Sequence, residues 1–299
     1  MSGAGAFAAL DHLVVAVRDL AAAAASYEQL LGRAPSWRGA HPGWGTANAL
    51  FRLDDTYLEL LCPDGAGALG DALRARLAGA GEGLIGFALG TADADACHAR
   101  LRAAGLAAAE PADGEGRDAH TGAVRRWRNV AIPAEASRGV LVFGIEHRSP
   151  PDALPLVAPA APDAAISGID HVVVRTDAPD AALRFYGEQL GLRCALDKTF
   201  EQWGARLLFF RVGGVTVEIA APAEPPAQPA AQDACWGISW RVPNADAARE
   251  RLLAAGFDVS ETRAGRKPGT RVCTVRAPTC GVATLLIAPA PRGAHAATQ

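Results

Sequence analysis

Apolar and polar positions follow one grammar along this chain, and the grammar recurs four times. A short β-branched run opens a unit, as in LDHLVVAV (10–17) and IDHVVVRT (169–176). An amphipathic stretch comes next. It closes at Leu-Gly (31–32, 190–191) or Ala-Ala-Gly (103–105, 254–256), where glycine suits the residue after a helix end. Strand-like segments follow, among them ALFRL, YLELL, RLLFFRV and VTVEIA. Each unit therefore predicts a strand, a helix and three strands. Such a unit cannot close its own sheet, so units should pair side by side.

The repetition is also visible residue by residue. Shifted by 159 positions, residues 10–63 fall on 169–222 without a gap, with 15 identities in 54 positions. Alanine matches mean little in so alanine-rich a chain. Paired His12/His171, Tyr27/Tyr186, Trp44/Trp203 and Glu59/Glu218 mean more. A weaker repeat sets 86–106 on 237–257. The expected fold is α+β: four βαβββ modules pairing into two curved, cleft-enclosing mixed sheets. The N-terminal domain would span 8–147 (modules 8–63 and 82–147) and the C-terminal domain 167–289 (modules 167–222 and 234–289). A Pro- and Ala-rich linker over 148–166 joins them, and 290–299 reads as a tail.

The repeat twice sets an Asp-His pair at a strand that looks buried. An imidazole beside valines is costly to bury unless something satisfies it. Each histidine also has a glutamate 47 residues on, Glu59 after His12 and Glu218 after His171. This grammar, with His on a first strand and Glu on a last one, resembles the vicinal oxygen chelate superfamily. That superfamily includes glyoxalase I, extradiol dioxygenases and fosfomycin-resistance proteins. The segment HPGWGTANALFRLDDTYLELL (41–61) is similar, more narrowly, to the glyoxalase-like domain family.

The resemblance implies a divalent metal on His12 and Glu59 and on His171 and Glu218, with Glu59 and Glu218 also candidate proton-transfer groups. His and carboxylate donors suit Fe, Mn, Ni, Co or Zn. Modules two and four depart from the pattern, offering Gly86 and Gly237 on their first strands. Their last strands offer Phe143 or Gly144 and Leu285 or Leu286. Three completions are open. Water and substrate oxygens fill the remaining positions; or His41, Glu146 or His147 supplies a third donor; or modules one and three face each other in a His2Glu2 site. Against all of these stands a strand-end His bound to backbone and a Glu facing solvent.

Substrate-binding candidates are His41, Trp44, Asn48, Tyr57, Arg126 and Trp203. The tryptophans could stack a planar substrate, Tyr57 shares a strand face with Glu59, and the RRWR run (125–128) could clamp an anion. His41 and Asn48 lack polar counterparts in the second copy, which favours the N-terminal cleft for polar recognition.

Composition narrows the classes. Half the residues are apolar, a fifth are charged and the net charge is -3, with no long block of one sign, which argues against nucleic acid or a membrane surface as partner. The start lacks signal-peptide features, no apolar run reaches spanning length, and six scattered cysteines read as reduced thiols, so a cytoplasmic monomer or homodimer is expected. No Walker-type loop or G-x-S-x-G elbow occurs. Three functions are expected to compete: a metal-dependent isomerase or lyase on a small oxygen-rich substrate, an extradiol-type dioxygenase, and a metal-free small-molecule binder.

Overall fold

Strand, helix and three strands follow in the predicted order in the computed structural model, which describes residues 6–41 and 43–290. The expected tail lies, past Ala290, outside the described residues. The first unit comprises β1 (Ala9–Ala16), α1 (Leu20–Leu31), β2 (Trp37–His41), β3 (Thr46–Arg52) and β4 (Tyr57–Pro63). Asp19 caps α1 by accepting from the Ala22 N–H, and Gly32 ends it at φ 73°, a left-handed conformation that favours glycine. A helix the sequence reading did not assign, α2 (Ala68–Ala80), precedes the second unit. That unit is β5 (Gly83–Gly90), α3 (Ala94–Ala103), β6 (Ala112–Asp118), β7 (Val124–Ala131) and β8 (Leu141–His147).

The third unit runs β9 (Gly168–Arg175), α4 (Pro179–Ala182), β10 (Arg193–Phe200), β11 (Ala205–Val212) and β12 (Val215–Pro222); α4 continues as a π-helical stretch over Leu183–Gln189. The fourth is β13 (Ala234–Arg241), α5 (Ala245–Ala254), β14 (Asp258–Val259), β15 (Arg263–Ala264), β16 (Thr270–Ala277) and β17 (Ala283–Pro289). Its second strand is broken into two short pieces.

Unit one pairs with unit two, and three with four. β1 runs parallel to β4 and antiparallel to β5; β9 repeats this with β12 and β13. His12 and His171 therefore stand in separate sheets. The idea that modules one and three face each other across a His2Glu2 site is corrected by this pairing.

The two sheets then diverge. The N-terminal one closes into a barrel in the order β1-β4-β3-β2-β6-β7-β8-β5, whereas the C-terminal one stays open with β10 at one edge and β14 at the other. Closure rests on two pairs, Gly39↔Asp118 and Ala40↔Arg117. Glycines make room for it. A Cβ at Gly39 would meet the Trp37 Nε1 at 2.5 Å, and one at Gly114 would collide with the Trp127 indole. Lys198 stands at the place of Gly39 in the second copy.

Both barrel ends are covered. Leu73 and Leu77 of α2 pack on Val14, Ala16 and Leu61, and Gly70 N–H donates to Trp44 O at 2.9 Å to dock the helix. At the other end Leu154 of the linker packs on Trp37, Leu50 and Tyr57. The main core runs through both halves, with Phe87 and Tyr186 ring centroids 6.4 Å apart. Arg251 of α5 donates to the carbonyls of Gln29 and Leu30 at the end of α1. Among the described residues no helix is long and apolar enough to cross a membrane.

Candidate functional site

Strand alternation turns His12 of β1 and Glu59 of β4 into the barrel, where His12 pairs in register with Tyr57 and Val14 with Glu59. Asp11 answers the burial problem posed by the sequence. Its Oδ1 lies 2.7 Å from His12 Nδ1, leaving Nε2 to face Glu59 Oε2 at 3.5 Å. His147 Nε2 holds the other Asp11 oxygen at 2.9 Å, and Asn48 Nδ2 donates to Glu59 Oε1 at 2.7 Å. Burial alone would push the imidazole down, but the Asp11 and Glu59 carboxylates hold it above its ordinary value. Burial would likewise raise Glu59. Contacts with His12, His41 and Asn48 leave it lowered, and Asp11 between two histidines lies well below the carboxylate range.

This pair is largely covered. Tyr57 stacks on the imidazole at 4.3 Å and Phe143 meets it edge-on at 5.5 Å, so the side chains of His12 and Glu59 are 3% and 13% exposed.

The second copy repeats the geometry in an open setting. His171 Nδ1 lies 2.8 Å from Asp170 Oδ2, and Nε2 faces Glu218 Oε2 at 3.7 Å. Here the two side chains are 21% and 19% exposed. Leu207 occupies the place of Asn48, so no side-chain amide stands at that position for Glu218. Burial raises Glu218, with His171 and Arg266 opposing only in part. The same carboxylate is thus pushed in opposite directions in the two halves.

The remaining sequence candidates are scattered. His41 Nδ1 lies 3.1 Å from Thr46 Oγ1, and its ring, with Trp44 and Trp127, forms an aromatic cluster inside the barrel. Burial lowers its pKa. Asn48 and Tyr57 belong to the covered pair. Arg126 points outward and pairs with Glu115 at 2.9 Å. The inward guanidinium is its neighbour Arg125, over the Tyr57 and Trp37 rings. Trp203 lies on the surface, stacked on Phe200, with Arg266 4.1 Å from its ring centroid. Sequence reasoning did not make Asp11 and Asp170 partners of the histidines, chose Arg126 rather than Arg125 within RRWR, and named Phe143 only as a position without a donor.

The donor pairs can be tested against a cation. Two ligands about 2.1 Å from one ion stand roughly 3.0–3.4 Å apart. The His-Glu separations, too long for hydrogen bonds, lie just beyond that range. Each pair supplies only half of a four-ligand sphere. Among the described residues no three His, Cys, Asp or Glu side chains gather as a cation site. Glu146 instead pairs with Arg148, and His147 is held by Asp11. The symmetry-related places are backbone-filled or apolar: a Cβ at Gly86 would collide with the Leu141 carbonyl, one at Gly237 would meet Ala283 O at 2.5 Å, and Phe143 and Leu285 follow. Two donors of this kind would leave half of a cation's positions to small-molecule oxygens.

Comparison with known proteins now carries weight. Residues 10–168, more than half of the chain, match the model of the Glyoxalase-like domain. The chain belongs to this family. Residues 170–274 match the Glyoxalase/Bleomycin resistance protein/Dioxygenase superfamily. Among curated proteins no sequence match was found. Among solved structures, the glyoxalase-like chain is similar to a mutant 4-hydroxymandelate synthase from Streptomyces coelicolor (TM-score 0.70, 16% identity, covering 95% of this chain and 93% of that one). It is also similar to the Mn(II)-bound glyoxalase from Novosphingobium aromaticivorans (TM-score 0.60, 15% identity, covering 95% and 83%). A hypothetical protein from Staphylococcus aureus matches at TM-score 0.59 and 12% identity, covering 93% and 98%. At these identities the likeness is one of fold.

Proposed function

We propose that this glyoxalase-like protein is an enzyme acting on a small oxygen-rich molecule at the half-buried His171–Glu218 pair of its C-terminal sheet. One observation carries the reading. The same His-Glu pair occurs twice, with the imidazole 3% exposed inside a covered barrel in the first half and 21% exposed on an open sheet in the second, while the glutamates differ less, 13% against 19%. His171 and Glu218 would hold a divalent cation jointly with substrate oxygens. Bound there, the cation would supply Lewis-acid stabilisation of a developing enolate or alkoxide. The Mn(II)-bound glyoxalase shares the fold, which keeps manganese among the metals to try.

The chain's own residues have separable roles in this reading. Asp170 fixes the His171 ring through Nδ1 and so presents Nε2 to Glu218. Where substrate oxygens take its place on the cation, Glu218 is free to hold and release a proton, a role that its burial, which raises it, favours. Arg266, near enough to act on Glu218, provides positive charge beside the Trp203 ring.

A second reading, a metal-free small-molecule binder, is favoured by the missing donors at Gly237 and Leu285. Elemental analysis separates the two. Protein dialysed against each of Mn(II), Fe(II), Co(II), Ni(II) and Zn(II) is expected to retain one of them. His171→Ala should lose it and His12→Ala should keep it. Retention of none by the wild-type chain would sink the metal reading and leave the binder.

A further inference from the structure

The mouth of the N-terminal barrel, away from the pair just assigned, holds a cavity of about 220 Å³. Asp11, Arg52, Asp55, Thr56, Arg125 and His147 contribute its polar wall; Pro150, Pro151 and Leu154 of the linker cover it. Its charges are unevenly matched. Both carboxylates are taken, Asp11 by His12 and His147 and Asp55 by Arg241 at 2.8 Å. Among the described residues neither guanidinium has a carboxylate. Arg52 Nε donates to Leu53 O at 3.2 Å. Arg125 is only 7% exposed and lies 5.4 and 5.6 Å from the Tyr57 and Trp37 ring centroids.

A second observation points the same way. The Thr56 hydroxyl, on the same wall and buried, has no hydrogen-bond partner. A buried guanidinium without a counter-anion and a buried hydroxyl without a partner are both costly. They are groups a ligand would satisfy.

We propose that this cavity binds a small organic carboxylate, received by the Arg125 guanidinium with Thr56 beside it. The planar fork matches a carboxylate. The prolines, Leu154 and the Tyr57 ring suit an apolar or aromatic body, and the volume exceeds that of an inorganic anion.

Calorimetric titration of the full chain with benzoate, phenylacetate and hexanoate, in chelator so that no metal enters, tests this. At least one is expected to bind in a 1:1 ratio. Arg125→Met should weaken it about tenfold or more, the loss of a charge-assisted hydrogen bond. Arg125→Lys should fall between, and the outward Arg126→Met should match wild type. No saturable binding of any probe up to about 10 mM, or equal affinity in Arg125→Met, would overturn the site. If Arg125→Met fails to fold by circular dichroism, Thr56→Val serves instead: about threefold weaker binding is expected, and unchanged affinity overturns the site. Stronger competition by inorganic phosphate than by any carboxylate would also overturn it. None of these outcomes depends on the C-terminal pair.

Discussion

Replacing each glutamate of the repeated pair by glutamine should change stability with opposite signs. Glu59 is held below its ordinary pKa. Its ionised form therefore contributes stability that is present above the unfolded value of roughly 4.3 and lost as pH falls through the lower folded value. Glu59→Gln removes a charge-assisted hydrogen bond with Asn48 and the attraction to His12. At about 1.5–3 kcal/mol for hydrogen bonds to charged groups, the cost corresponds to a fall in Tm of roughly 3–8 °C near neutral pH, shrinking in acid. Glu218 is raised instead, because burial outweighs its cations. Its contribution is largest when protonated, below the unfolded value, and is lost as pH rises through the folded one. Glu218→Gln should therefore stabilise by about 1 kcal/mol near pH 7, a gain that fades towards pH 4. Thermal melts of both variants and wild type, metal-free, at about pH 4, 5.5 and 7.5 would check this. Shifts of the same sign at neutral pH, or shifts independent of pH, would refute the electrostatic account of the two halves.

Other outcomes follow from packing. Gly39→Ala, whose methyl meets Trp37 at the closure pairs, should cost about 1–3 kcal/mol in urea unfolding. An unchanged midpoint would mean the indole is not confined. Leu73→Ala in α2 leaves a cavity over Val14 and Leu61 and should cost about 2–5 kcal/mol. It should also speed hydrogen exchange in β1 and β4, and slow exchange there would show that the helix is not the plug. Arg251→Met releases the last carbonyls of α1. Exchange protection should fall over Gln29–Leu31, a loss absent if the guanidinium is mobile.

The sequence made the four-unit architecture legible because β-branched runs, helical spacing and terminal glycines all repeat in one register. What it hid was three-dimensional. Leu73 and Leu77 have helical spacing, but amid alanine and glycine nothing marked them as a barrel plug. Closure of one sheet and not the other depends on glycines fitting under indoles, and Lys198 in place of Gly39 acquires meaning only once β2 is seen against β6. In RRWR a strand alternates faces, so a one-residue choice of phase separated Arg126 outside from Arg125 inside. Covering of the first His-Glu pair by Tyr57 and Phe143 was equally invisible, since Phe143 lies far from His12 along the chain.

The continuous interior makes the covalent tether largely redundant. Chain connectivity between the halves passes through surface residues such as Leu156, while Tyr27 reaches Thr279 and Arg251 reaches across to α1. A nick in that strap should leave two fragments clasped as a heterodimer, so the gene could be divided there and its products would find each other again.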